Sequence, residues 1–447
     1  MKHRGYIFNL VFLLLIIGTM PDLAFAELKF KWGSHFRLRY EFLKNVYDMD
    51  SSALDNLNFF KLKSSLWGQV DFNKDISFYT KFTNEFRSYT YYAPSPSKAF
   101  RKTEKSYPFD INEVVFDNFY LDVKNFFGFP LDLRLGRQDL NGYGEGFLIY
   151  DGTPGDGSRT YYFNAAKAVW RINDTNSADF IYLNDPRSDV FLPVINRYSP
   201  RQNLTTTEEK AGILYLKSRS IQNVDLEGYY IYKREGGEGG TGLQKEKGII
   251  NTFGSFVKYD FSPYTLRAQL ASQFGTYGNK DRQALGGYVF LDRSFNKFFW
   301  SPKFTFGFFY LSGGDTTSDK DRAWDPLFSR YGIMSELYTQ SYKTETGIKE
   351  YWTNLQLWRG AFVLKPTEKL KINLLYNYLR ANKDVSKPAA TFSGNGKNRG
   401  HLPQARIDYA FNEHVSGYFL AEYFIPGNFY TTRDDAVYLR TQLQVKF

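Results

Sequence analysis

A period of two governs this chain almost from end to end, and few folds can absorb it. Phe30, Trp32, Phe36, Leu38, Tyr40 and Phe42 alternate with Lys31, His35, Arg37, Arg39 and Glu41. Phe60, Leu62, Leu66 and Val70 then oppose Lys61, Lys63, Gln69 and Asp71. After a turn at 72–75, Ile76, Phe78, Phe82 and Phe86 oppose Lys81, Glu85 and Arg87. Successive side chains of a strand point to opposite faces, so each run has one apolar and one charged side. The runs reach about 9–11 residues or somewhat more, the length of a tilted strand that crosses a bilayer.

Composition fits the same geometry. The 447 residues include 43 Phe and 35 Tyr, yet mean hydropathy is −0.46. An apolar outer band, aromatic girdles and a polar lumen would use residues in this way. The expectation is an all-β protein, a transmembrane antiparallel β-barrel of about eighteen strands. After the first three, strands are predicted near 111–124, 131–141, 163–172, 177–184, 209–219, 224–233, 249–261, 264–276, 283–294, 302–312, 351–364, 370–381, 401–411, 414–425 and 437–447. An even count returns both termini to one side.

Connections alternate in length. Short turns are expected at 72–75, 125–130, 173–176, 220–223, 261–263, 295–301, 365–369 and 412–413, several with turn residues such as Asn173-Asp174 and Ser262-Pro263. Longer polar or glycine-rich loops are expected at 43–57, 89–110, 142–162, 185–208, 234–248, 277–282, 313–350, 382–400 and 426–436. Short periplasmic turns opposite long extracellular loops belong to this class of barrel. The last strand, 437–447, alternates unbroken to a terminal Phe447 and should pair with the first, leaving no open edge in lipid. A closing strand ending in Phe resembles the assembly signal of outer-membrane proteins.

The N-terminus carries its own address. Lys2 and Arg4, the apolar stretch Leu10 to Ile17 and Ala24-Phe25-Ala26 read as an export signal cleaved after residue 26, leaving 27–447 as the barrel. The apolar stretch is too short for a spanning helix, which needs roughly 20 residues. The mature chain would hold 55 basic and 46 acidic side chains, a net +9. Such a protein attracts anions where its charges cluster. Cysteine is absent, which removes disulfide and thiol chemistry.

The inward faces are where function is expected. Arg37, Arg39, Lys61, Lys63, Lys81, Arg87, Arg134, Lys258, Arg267 and Arg440 fall on polar faces, with Glu41, Glu85, Asp71, Asp132 and Asp260 among them. Guanidinium forks match carboxylates, and a low-dielectric wall strengthens their field. One reading is an anion-conducting pore. The other is a self-neutralised lumen of Arg–Glu pairs. Arg137 is out of phase with Arg134, and a bulge at Gly136 is expected to turn it inward. Asp315, Asp319, Asp321 and Asp325 form a weak Ca2+ candidate, without EF-hand spacing. Gly142, Gly144 and Gly146 lack the Lys-Ser/Thr of a phosphate loop, and Gly236 to Gly240 reads as a flexible loop. His35, His401 and His414 leave little room for a triad, so catalysis is a third-rank reading. No cofactor and no nucleic-acid partner are expected.

Two motifs resemble a known family. Gly136-Arg137-Gln138-Asp139-Leu140-Asn141 with Tyr143-Gly144-Glu145-Gly146 is similar to the signature of the bacterial alginate export family. Leu311-Ser312-Gly313-Gly314-Asp315, leading to Trp324-Asp325-Pro326-Leu327-Phe328, supports it. Here Gly142 separates Asn141 from Tyr143, where the family runs on without a break. The resemblance implies an eighteen-stranded outer-membrane barrel with an electropositive lumen and passive export of an anionic polysaccharide. It also implies gating by a long loop and a periplasmic turn, a pore-lining role for Arg137, and contact with periplasmic export proteins. A porin for small anions or oligosaccharides is the rival reading.

Overall fold

The computed structural model describes residues 28–53, 56–92, 113–150, 163–193, 195–196, 205, 207–236, 247–314, 319–329, 334–348, 351–385 and 391–447. The export signal read at 1–26 and most of the glycine-rich stretch 236–240 lie outside them. Eighteen antiparallel strands form the wall. They begin with β1 (Lys29–Lys44), β2 (Leu57–Asp71), β3 (Ile76–Tyr92), β4 (Glu113–Val123), β5 (Leu131–Gln138) and β6 (Phe163–Arg171). There follow β7 (Asn176–Asp185), β8 (Glu209–Ser218), β9 (Val224–Glu235), β10 (Gly248–Phe261), β11 (Tyr264–Tyr277) and β12 (Lys280–Ser294). The wall ends with β13 (Lys303–Leu311), β14 (Leu355–Leu364), β15 (Leu370–Arg380), β16 (Asn398–Ala410), β17 (Val415–Pro426) and β18 (Ala436–Lys446).

Each strand pairs with the next, and β1 pairs with β18 from His35↔Lys446 to Lys44↔Val437. Beyond that register, the Ser34 and Phe447 amides exchange hydrogen bonds at 3.0 and 2.9 Å. The sheet is closed, so no wall strand stands at an open end of it, as a bilayer interior demands.

The alternation sorts side chains as expected. Phe36, Leu38, Phe180, Leu216, Phe253, Leu270, Phe306 and Leu443 are exposed on the outside. Arg37, Arg39, Lys61, Lys63, Glu85, Asp179, Gln269, Asp292 and Arg440 are buried inside. In one respect the loop pattern differs. The predicted long loop at 277–282 is a tight hairpin: β11 runs to Tyr277 and β12 starts at Lys280. Gly278 supplies the positive φ of 57° that so short a turn requires.

The wall is uneven at β5 and β6, which have only 8 and 9 residues. The upper part of β4 therefore lacks a β5 partner. Ile195–Asn196, from the β7–β8 connection, pairs there with Glu113 and Val114. That connection passes over the short strands.

Candidate functional site

The early end of β5 releases the chain into the barrel. Gly142, Gly144, Glu145 and Gly146 all adopt positive φ, between 51° and 83°. The glycines make this coil accessible, and a Cβ on Gly144 would lie 2.5 Å from the Gln269 side chain. The coil touches inward-facing residues. Tyr143 donates to Asp179 at 2.8 Å, the Gly144 amide donates to Glu227 at 2.9 Å, and Glu145 accepts from Arg267 at 2.8 Å. Asp179, Glu227 and Arg267 each lie three residues from the short-turn end of their strands. The loop thus descends along the inner faces of β7, β9 and β11 towards their short-turn ends.

The β13–β14 connection meets it there. Trp324 is fully buried and stacks on Phe147 at 5.3 Å, while the Phe328 amide donates to the Leu148 carbonyl at 3.0 Å. Ser329 donates to the Gly146 carbonyl at 2.5 Å. Further along, α1 (Tyr338–Thr346) lies buried against β16–β18. Arg399 binds Glu345 through two hydrogen bonds of 2.7 and 2.8 Å, and also holds the Tyr338 hydroxyl and the Asn354 carbonyl. Glu422 accepts from the Leu337 amide and Ser335, and Arg440 donates to Glu336. The two segments that carried the family resemblance, far apart in sequence, form one plug.

The helix was not readable in advance. Its sequence, Tyr-Thr-Gln-Ser-Tyr-Lys-Thr-Glu-Thr, has no aliphatic stripe, and its buried aromatic side chains, Tyr338 and Tyr342, pack on Trp352 and Phe424 beside the Arg399–Glu345 pair. Two tyrosines among Thr, Ser, Gln, Lys and Glu leave too weak a periodic signal to read.

The predicted wall residues can now be placed. Arg37 and Lys61 both pair with Glu85, and Lys63 is buried beside them. Arg39 and Arg440 share Glu41. Lys81 pairs with Asp117, Arg134 with Asp122 and Asp132 with Arg171. Lys258 pairs with Asp260, and Arg267 with both Glu145 and Asp292. Arg87 is exposed and lies over the Phe59 ring. Much of the inner charge is thus internally neutralised.

One expectation needs correction. The pairing of β5 with β4 and β6 runs through Gly136 without a register shift, so there is no bulge at that position. The bulge sits one strand away, where β4 skips Asp117 in its pairing with β3. Arg137 stays on the phase opposite Arg134, facing Asn164 rather than Lys167. It remains buried because Asp189, from the overlying β7–β8 connection, pairs with it at 2.7 Å. Its guanidinium ties that connection to the wall. In the acidic run, Asp321 and Asp325 both pair with Arg282, at 2.7 and 3.1 Å. Among the described residues no group of three or more metal-ligating side chains occurs, and Asp315 lies outside them.

The sequence reading missed Lys167, Lys217, Lys303, Arg359 and Arg406, all inward by register. Strict alternation would have found them. Three inner pairs, to Asp179 and Asp292, are lopsided in exposure, whereas Arg406–Asp408 and Arg267–Glu145 are not. Lys217 is 30% exposed against 3% for Asp179, Arg267 22% against 5% for Asp292, and Lys303 40% against the same Asp292. Among the described residues Lys167 makes no ion pair, and Arg359 hydrogen-bonds the Asn377 side chain and the Met334 carbonyl. At Asp179 and Asp292 water meets the cation while the carboxylate beneath is covered.

A closed eighteen-stranded barrel with an apolar exterior and a charged, loop-filled interior defines a bacterial outer-membrane channel. The alginate export family model matches residues 29–443, and the chain belongs to that family. Among solved structures it is similar to OprD from Pseudomonas aeruginosa (8% identity, 94% of this chain and 93% of that one, TM-score 0.55). It is also similar to OccD3 from Pseudomonas aeruginosa (8%, 94% and 91%, 0.57) and OccAB4 from Acinetobacter baumannii (12%, 95% and 99%, 0.56). At such identities the likeness is one of fold. No curated protein matches the sequence.

Proposed function

We propose that this channel passes anionic solutes, and that its cargo is an acidic polysaccharide or its oligomers moving passively through the outer membrane. The observation that carries this reading is the exposure asymmetry at two inner-face acids, where Lys217 covers Asp179 and Lys303 and Arg267 cover Asp292. A polyanion meets a positive surface over several strands, and Arg forks match uronate carboxylates. Membership of the alginate export family agrees in sign with such a cargo. The protein acts as a conduit, and catalysis plays no part in this reading. The export signal at 1–26 would deliver it to the periplasm before insertion.

Planar-bilayer recording tests the proposal. Under a KCl gradient the reversal potential should report anion preference, and oligouronates should reduce the current. Replacing Lys217 and Lys303 with Glu should move the reversal potential towards cations and weaken the block. A cation-selective wild-type pore, or a current indifferent to oligouronates, would overturn it. A porin for small anionic saccharides is the second reading, favoured by the ion-paired plug across the lumen. If so, block should not deepen with oligomer length.

A further inference from the structure

On the outer face of the barrel, at the long-loop end, a cavity of about 390 Å³ is lined by Pro186, Arg187, Glu208, Lys210, Arg234, Gly236 and Lys247. Four cations and one carboxylate surround it. Register places Lys210 and Arg234 directly opposite each other on β8 and β9. Their neighbours Glu209, Lys233 and Glu235 are buried inside as an ion-paired cluster, which puts Lys210 and Arg234 on the outward phase. Like charges directly across a strand pair are destabilising unless something negative lies between or beside them. Glu208 serves Lys210 at 2.5 Å, and no ion pair with Arg234 or Lys247 occurs among the described residues.

The level of this patch identifies what could answer it. Two residues nearer the barrel midline on the same face come Tyr182 on β7 and Tyr232 on β9, both exposed. Exposed Leu216 and Phe253 lie beyond. Tyrosines followed by aliphatic and phenyl surface mark the passage from interface to hydrocarbon. The cations therefore stand at headgroup height in the leaflet facing the long loops. Basic pockets at this height hold anionic headgroups.

We infer that this cavity binds the phosphate of a phosphorylated glycolipid headgroup in the outer leaflet. Arg234 and Lys247 would be its principal donors, with Arg187 and Lys210 at the rim. The site lies outside the lumen and does not depend on the cargo proposed above.

The test uses the full barrel purified in detergent, with binding of diphosphorylated lipid A, dephosphorylated lipid A and inorganic phosphate measured by native mass spectrometry. The expected result is binding of diphosphorylated lipid A that weakens about tenfold or more in R234A/K247A, with the dephosphorylated lipid weak on both proteins. Should the double variant fail to insert, R234Q preserves side-chain length and should lose about fivefold. Equal affinity of wild type and the inserted variant for diphosphorylated lipid A would overturn the site. Equal binding of the dephosphorylated lipid would overturn phosphate recognition. Saturation by inorganic phosphate without lipid binding would overturn the headgroup assignment.

Discussion

At the scale of single residues, this barrel uses arginine in two distinct ways. Some guanidiniums are structural ties, and Arg399 is the strongest of them: fully buried, forked onto Glu345 and covered by Phe429 at 4.2 Å. Removing one partner of a buried pair leaves an uncompensated charge and costs about 3–5 kcal/mol. R399A should therefore loosen α1, raise single-channel conductance and lower the thermal midpoint followed by circular dichroism. R399A combined with E345A should be milder than the sum of the single changes, because the stranded carboxylate is gone. Unchanged conductance in R399A would show that α1 is held by packing alone. Arg137 belongs to the same structural group, tied to Asp189 outside the lumen. Lys217 and Lys303 are different, because they stay open to water over buried acids.

At the scale of elements, the two loops of the plug are joined by an aromatic contact beside the hydrogen bonds from Phe328 and Ser329. Trp324 lies between Phe147, on which it stacks, and Gly286 on β12, where a Cβ would meet the indole at 2.6 Å. Truncating a buried Trp to Ala costs about 3–5 kcal/mol when the site cannot collapse. W324A should uncouple the loops and produce noisier, larger currents, while the eighteen wall strands keep the barrel inserted. A second variant, G286A, should act in the same direction by displacing the indole. Wild-type current noise in both would mean that the loops are held independently, through Lys233 and Arg282.

At the scale of the whole molecule, closure depends on the first and last strands, β1 and β18, meeting. Phe447 exchanges backbone hydrogen bonds with Ser34 and stacks on His414, and the terminal strand runs in register with β1. Deleting Phe447 removes two ladder hydrogen bonds, worth about 0.5–1.5 kcal/mol each. It also exposes an edge during assembly. The heat-modifiable folded band on cold gels should fall several-fold in membranes, with wild-type conductance in those barrels that do insert. A folded fraction equal to wild type would remove the closing role.

What the sequence determined by itself was the wall. A side-chain period of two is local, and lipid outside with water inside imposes it on every strand. Strand number, most boundaries, the sides of Arg37, Arg39, Lys61, Lys63, Glu41, Glu85 and Arg440, and closure through Phe447 were all legible for that reason. Tertiary structure decided what fills the wall. The Gly136–Gly146 and Trp324–Phe328 motifs meet across the lumen, though nothing periodic links them. α1 carries no aliphatic stripe, because its burial rests on Tyr338 and Tyr342 packed against Trp352 and Phe424 and on the Arg399–Glu345 pair. Arg137 escapes lipid through a carboxylate 52 residues away rather than through a local bulge. Ion pairing is likewise non-local: alternation put Lys217 and Asp179 on the inner face, but only their packing covers the acid and leaves the lysine to the water.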